Sequence, residues 1–274
     1  MPDPNQADDD QPRKKGLGLL LFPKLKQLDD DIVKTFAAVL NRQGFVIDVA
    51  SRATEVLESI LFEHYMITGQ VFKGDLRDQL PATLAMTEEE RIRVDVALTT
   101  HFRTRAKEQA AAILATTQTN MERSWQTAKS EEDSGDPLFQ TVIMASAGLS
   151  RLLARRRPVI SQLESEAPAE DAKATEAEVL TGSLGLSVLG QEVTSQLVKR
   201  WDNMQDEKVR DHHVDAGGQI RLINEPFLVM GQYLMRPKDT SLGATVRNII
   251  NCRCSAFYPM GKIIQIREEM QLAA

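Results

Sequence analysis

Both cysteines of this 274-residue chain fall within four residues, in the stretch Asn251-Cys252-Arg253-Cys254. If 247–257 is an extended strand, alternation puts Cys252 and Cys254 on one face and Arg253 on the other, so that both thiols reach one pocket. Three chemistries use such a pair. Zinc takes about four ligands, so His212 or His213, with Asp206 or Asp239, must complete the set. The one-residue spacing is tighter than the usual zinc knuckle, and the chain has no second cysteine pair. A nucleophilic cysteine takes His213 as its base and Asp206 or Asp239 as the orienting acid, but neither a nucleophile elbow nor a glycine-rich oxyanion loop accompanies it. The third use is packing, two small buried thiols beside a hydrogen-bonded histidine. The residues favour packing with no cofactor, and zinc on His213, Cys252 and Cys254 stands as the alternative.

Special residue types crowd the same region: Trp201, Asp206, Arg210, His212, His213, Gly218, Pro226, Phe227, Gly231, Pro237 and Asp239 all precede the cysteines within some fifty positions. Asp206 and Arg210, four apart, suit a helix-face ion pair. Arg253 suits the solvent face of a strand. A second concentration is basic: Arg151, Arg155, Arg156 and Arg157 in "RLLARRRP" form a local knot that either contacts DNA phosphates or complements its own helix terminus.

The net charge of −6 and pI near 5.4 give no field that draws nucleic acid or an anionic membrane to the whole molecule. Aromatic residues at 5% also disfavour a base-stacking surface. The apolar run "GLGLLLF" (16–22) is far short of the roughly 18 residues of a membrane span. Acidic residues precede it and Pro23 cuts it, so it is a poor secretory signal. A cytoplasmic setting with reduced thiols is the expectation.

The elements that must position these residues read as mainly helical α+β. Residues 1–23 are expected to be a disordered arm, their first fifteen almost free of apolar side chains. A helical domain over 24–160 follows. It opens on the acidic turn Asp29–Asp31 and continues with a helix over 48–67 and a connection over 72–86. Thr87 then caps a very long helix, with Glu90 closing a capping box and apolar residues in register to about 128. That helix would run on the order of 60 Å. A loop leads to Asp136-Pro137, an N-cap and first-turn signal for a helix that Pro158 stops. The acidic, alanine-rich segment 161–178 reads as a linker. Residues 179–274 form a small mixed α/β domain of short strands and turns.

Residues 195–258 resemble the C-terminal domain of phage Mu type head-morphogenesis proteins, the minor head proteins of tailed phages and prophages. The resemblance rests on an ordered series: "KRWDNMQDEKVRDHH" (199–213), "GGQI" (217–220), "NEPFLVMGQYLMRPKD" (224–239) and "IINCRC" (249–254). Lys238 stands where that family often carries glycine. His213 is the histidine whose spacing matches.

The resemblance implies a non-enzymatic virion component, located in the head interior or at the portal vertex and in host cytoplasm during procapsid assembly. Its implied partners are the portal protein and capsid or scaffold subunits, with packaged DNA as a further contact and no membrane. It also implies that Trp201, Asp206, Arg210, His213, Gly218, Phe227, Gly231, Pro237, Asp239, Asn251, Cys252, Arg253 and Cys254 form a compact motif core without catalytic residues. The competing expectation is a metal- or cysteine-dependent enzyme, hydrolase or toxin-like, using His213, Cys252 and Cys254.

Overall fold

A computed structural model describes residues 10–43, 49–130, 137–182, 197–204 and 206–273. Four long helices come first: α1 (Asp10–Gln43), α2 (Val49–Phe72), α3 (Glu88–Ser130) and α4 (Pro137–Leu180). The C-terminal module then runs β1 (Val198–Asp202), α5 (Asp211–Ala216), β2 (Ile220–Leu222), β3 (Phe227–Val229), β4 (Gln232–Leu234), α6 (Val246–Ile249), β5 (Ser255–Phe257) and α7 (Met260–Ala273). The protein is mainly helical α+β, as the apolar periodicity requires.

The very long helix is α3, and its capping box is formed. The Glu90 backbone N–H donates to Thr87 Oγ1 at 3.2 Å, and the Thr87 N–H donates to Glu90 Oε2 at 2.8 Å. Three acids in its first turn, Glu88, Glu89 and Glu90, complement the helix dipole.

Two expectations on the helical segments are corrected. The arm over 1–23 is helical from Asp10 onward. Leu17, Leu21 and Leu25 extend the buried stripe of Ile32 and Phe36 backwards at helical spacing, and Pro23 is accommodated on the exposed side. Residues 1–9 lie outside the described residues, as do Gly44, expected as a helix stop, and Asp136, expected as an N-cap. The second correction concerns 161–178, which is no linker. α4 passes Pro158 and Pro168 and reaches Leu180, and every residue from Glu164 to Asp171 is buried. Alanines allow close backbone approach there, and partners 65 to 100 positions away along the chain satisfy the acids.

The chain divides into two compact units, one of 1–15, 66–101 and 165–274, the other of 16–65 and 102–164. The boundary thus cuts all four long helices rather than falling in a loop. In the second unit Leu21, Phe36, Leu57, Leu61, Tyr65, Phe102, Ala106, Leu149 and Leu153 are buried. Its internal charges are paired. Arg157 Nε donates to Asp29 Oδ2 at 2.9 Å, and Glu164 accepts from both Arg105 Nη2, at 3.2 Å, and the Tyr65 hydroxyl.

The first unit carries the motif-bearing module. β1 is the centre of an antiparallel sheet in the order β2-β1-β5, with Trp201 opposite Ala256 and Arg200 opposite Ile220. β3 and β4 form a hairpin whose two-residue turn is Met230-Gly231, both at positive φ, 47° and 73°. Positive φ at both central residues is the signature of the hairpin turn whose twist matches the strands. α7 is anchored by Arg267, which donates to Glu90 and to the carbonyls of Leu84, Ala85 and Leu180.

Candidate functional site

The centre of the module is a buried cluster of Trp201, His213, Phe227, Cys252 and Cys254, none more than 2% exposed. β1 supplies Trp201 because its alternating burial turns Lys199 and Trp201 inward. The Trp201 ring meets Phe227 edge to face at 5.3 Å and His213 at 5.8 Å. α5 is a six-residue helix that presents His213 to the interior and leaves His212 half-buried.

The cysteines reach this centre by a route other than strand alternation. Residues 246–249 are helical and only 255–257 are extended, so Cys252 and Cys254 lie on the connecting loop. Asn251 takes φ 51°, a left-handed conformation that asparagine tolerates better than most residues, and this turn swings Cys252 inward. His213 Nδ1 lies 3.3 Å from Cys254 Sγ and 3.5 Å from Cys252 Sγ. Among the described residues, the opposite ring nitrogen, Nε2, is buried without a hydrogen-bond partner.

The two thiols are shifted in opposite directions. Burial pushes Cys252 up, but hydrogen bonds with Cys254 and His213 and the charge of Lys238 outweigh it, holding this thiol well below the usual range. Its hydrogen bond with Cys252, and then burial, push Cys254 up. The two shifts belong to the pair rather than to either thiol alone.

Lys238 belongs to this site, although no charge pattern or spacing in the sequence marked it. Its φ of 68° is the left-handed region that favours glycine. Its side chain is buried, with Nζ donating to the Cys254 carbonyl at 2.6 Å and lying 3.4 Å from Glu166 Oε2. Burial disfavours the ammonium, but Glu166 and the cysteines more than compensate and raise its pKa.

The remaining motif residues shape the backbone. Asp239 accepts from the Met235 N–H at 2.9 Å, the Ser241 N–H at 3.0 Å and the Ser241 hydroxyl at 2.9 Å, folding the turn around buried Pro237. Gly218, at φ 79°, donates its N–H to the Trp201 carbonyl. Gln219 holds the Leu228 backbone at both ends, donating to its carbonyl at 2.8 Å and accepting from its N–H at 3.2 Å.

Asp206 and Arg210 do not form the expected helix-face pair, because α5 begins only at Asp211. Instead Asp206 pairs with Arg253, and Arg210 donates to the Ile250 carbonyl, so both brace the cysteine loop.

Several functional neighbours came from the segment read as a linker. Along α4, Glu166 faces Lys238, Glu170 accepts from the Ala256 N–H at 3.0 Å, and Asp171 pairs with Arg236 and with His101 Nε2 at 2.9 Å. Asn248, fully buried, donates to the Val229 carbonyl and to Gln232. The helical spacing of Glu166 and Glu170 was the available signal.

The basic knot divides. Arg156 and Arg157 turn inward to Asp29, at 3.7 and 2.9 Å, and are unavailable to DNA in this state. Arg151 and Arg155 are exposed and line a groove with Arg123, Ile143 and Met144.

Comparison with protein-family profiles, curated proteins and solved structures finds no match for this chain. No helix among the described residues is long and apolar enough to cross a membrane.

Proposed function

We propose that this chain is a minor head protein of a tailed phage or prophage, which associates with the portal protein and capsid or scaffold subunits during procapsid assembly and performs no catalysis. One observation carries the reading. The motif series that resembles the head-morphogenesis family, spread from Trp201 to Cys254, is gathered by the fold into one buried cluster with its bracing turns.

The outer face of the module suits a binding part. Leu228 and Tyr233, directly opposite each other across the β3–β4 hairpin, are 44% and 56% exposed, and Ile220 and Leu242 are exposed as well. Apolar side chains held outward on a rigid hairpin serve as partner contacts. In co-expression with the portal and major capsid subunits, the full chain is expected to co-purify with procapsids, and a Leu228→Ser/Tyr233→Ser variant with unchanged stability is expected to lose that association. Procapsids that never contain the chain would refute the reading.

The second reading, a metal- or cysteine-dependent enzyme, is favoured by the convergence of His213 on both thiols. Burial of all three side chains weighs against substrate contact. Hydrolase activity that disappears in a folded Cys252→Ala variant would establish it instead.

A further inference from the structure

We infer that His213 Nδ1, Cys252 Sγ and Cys254 Sγ form a binding site for one soft divalent cation, zinc first among them. The inference does not rest on the proposed assembly role and holds or fails separately from it.

An imidazole nitrogen has a single in-plane direction, either a lone pair or an N–H, and so makes one good hydrogen bond. Two sulfurs crowd His213 Nδ1, at 3.3 and 3.5 Å, and they cannot both lie along that direction. Three atoms around a shared centre make sense of the crowding. With zinc–sulfur bonds of about 2.3 Å and zinc–nitrogen bonds of about 2.0–2.1 Å, a tetrahedral site separates nitrogen from sulfur by roughly 3.5–3.6 Å. All three ligand atoms lie within 4.8 Å of one another.

Chemistry and charge agree. Two thiolates and an imidazole select a borderline-soft ion such as zinc over calcium or magnesium, which demand oxygen. Two thiolates balance a dication, and the neighbouring Lys238 and Glu166 balance each other, so the loaded centre adds no net charge to a buried region. On loading, each sulfur–metal bond replaces a sulfur–proton bond, and the protons pass to solvent.

Position decides the role. Each ligand is fixed independently: His213 by α5, Cys252 by the left-handed turn at Asn251, and Cys254 by the Lys238 ammonium on its carbonyl. Among the described residues no further histidine, cysteine or carboxylate joins the trio, so a water molecule completes the fourth position. Because the trio is sealed beneath Trp201 and Phe227, the ion staples α5 to the loop 251–254 rather than meeting substrate.

The test uses the full chain purified without an affinity tag. Elemental analysis after dialysis is expected to find one zinc per chain. Cobalt(II) added to the metal-free protein is expected to saturate at one equivalent, with thiolate-to-cobalt charge-transfer absorption and intense visible bands of tetrahedral cobalt. Cys252→Ser and Cys254→Ser should each weaken cobalt binding by at least tenfold, and the double variant should abolish the charge-transfer band. Absence of both retained zinc and the cobalt spectrum in the unaltered chain would overturn the inference. So would cobalt binding that the double variant leaves unchanged. Should the variants fail to fold, the titration of the unaltered chain still decides.

Discussion

Lys238 Nζ lies 3.4 Å from Glu166 Oε2, with the two side chains 1% and 4% exposed, and this pair joins α4 to the cysteine loop. Removing one partner strands a buried charge. Glu166→Ala is expected to cost about 3–5 kcal/mol, whereas Glu166→Leu combined with Lys238→Met should recover most of the loss. Urea unfolding followed by Trp201 fluorescence, in a Trp125→Phe background, checks both. Lys238→Gly relieves the left-handed backbone, worth about 1 kcal/mol, but removes the ammonium that faces Glu166 and donates to the Cys254 carbonyl, so it too should be net destabilising.

Asp171 is the second such anchor. It accepts from both Arg236 and His101, and its side chain is 3% exposed. Asp171→Asn keeps the shape but removes the charge that balances Arg236, a loss on the order of 3 kcal/mol. Arg236→Lys is expected to destabilise almost as much, because an ammonium cannot reproduce the planar fork. The shift in thermal midpoint of each variant measures this.

The capping box at the start of α3 allows a graded comparison. Thr87→Ala should cost about 1 kcal/mol, the worth of an N-cap. Glu90→Ala should cost more, since it also deprives buried Arg267 of both carboxylate contacts, at 2.8 and 3.1 Å. Equal losses in chemical denaturation would count against the Glu90–Arg267 coupling.

His64 should make the protein acid-sensitive. Burial, and then the charge of Lys24, lower its pKa to about 4, with Glu63 acting in the opposite direction. Unfolded, the ring takes a proton below about 6.5. Between those values the unfolded state binds more protons, so stability falls as pH drops from about 6.5 to about 4. The loss is at most roughly 3 kcal/mol. A His64→Gln variant should show a flatter stability profile across that window, measured by denaturation at a series of pH values.

The native thiols should resist modification, since Cys252 and Cys254 are 2% and 1% exposed. Reaction with a thiol reagent is expected to await unfolding, and then to register both groups. Rapid labelling of the native chain would show that the loop 251–254 opens readily.

Much of the helical framework was legible because local signals suffice for it. The capping box at Thr87 and Glu90, and the apolar register from Ile92 to Trp125, specify α3 without help from distant residues. His213, Cys252 and Cys254 were also grouped correctly, since their residue types share few chemistries. The route was not legible. Strand alternation over 247–257 gave way to a loop, because Asn251 takes a left-handed turn and leaves only 255–257 to pair with β1.

The segment 161–178 marks the limit. By itself the sequence determined that it is acidic, rich in alanine and interrupted by proline, a composition that serves a solvated linker or a helix equally well. Only the tertiary structure decided between them, by bringing Lys238, Arg236 and the Ala256 N–H to Glu166, Asp171 and Glu170. The same holds for Arg156 and Arg157, whose partner Asp29 lies on another helix. A charge is buried or exposed according to whether a countercharge reaches it. That depends on contacts between residues far apart in the chain, which no local pattern encodes.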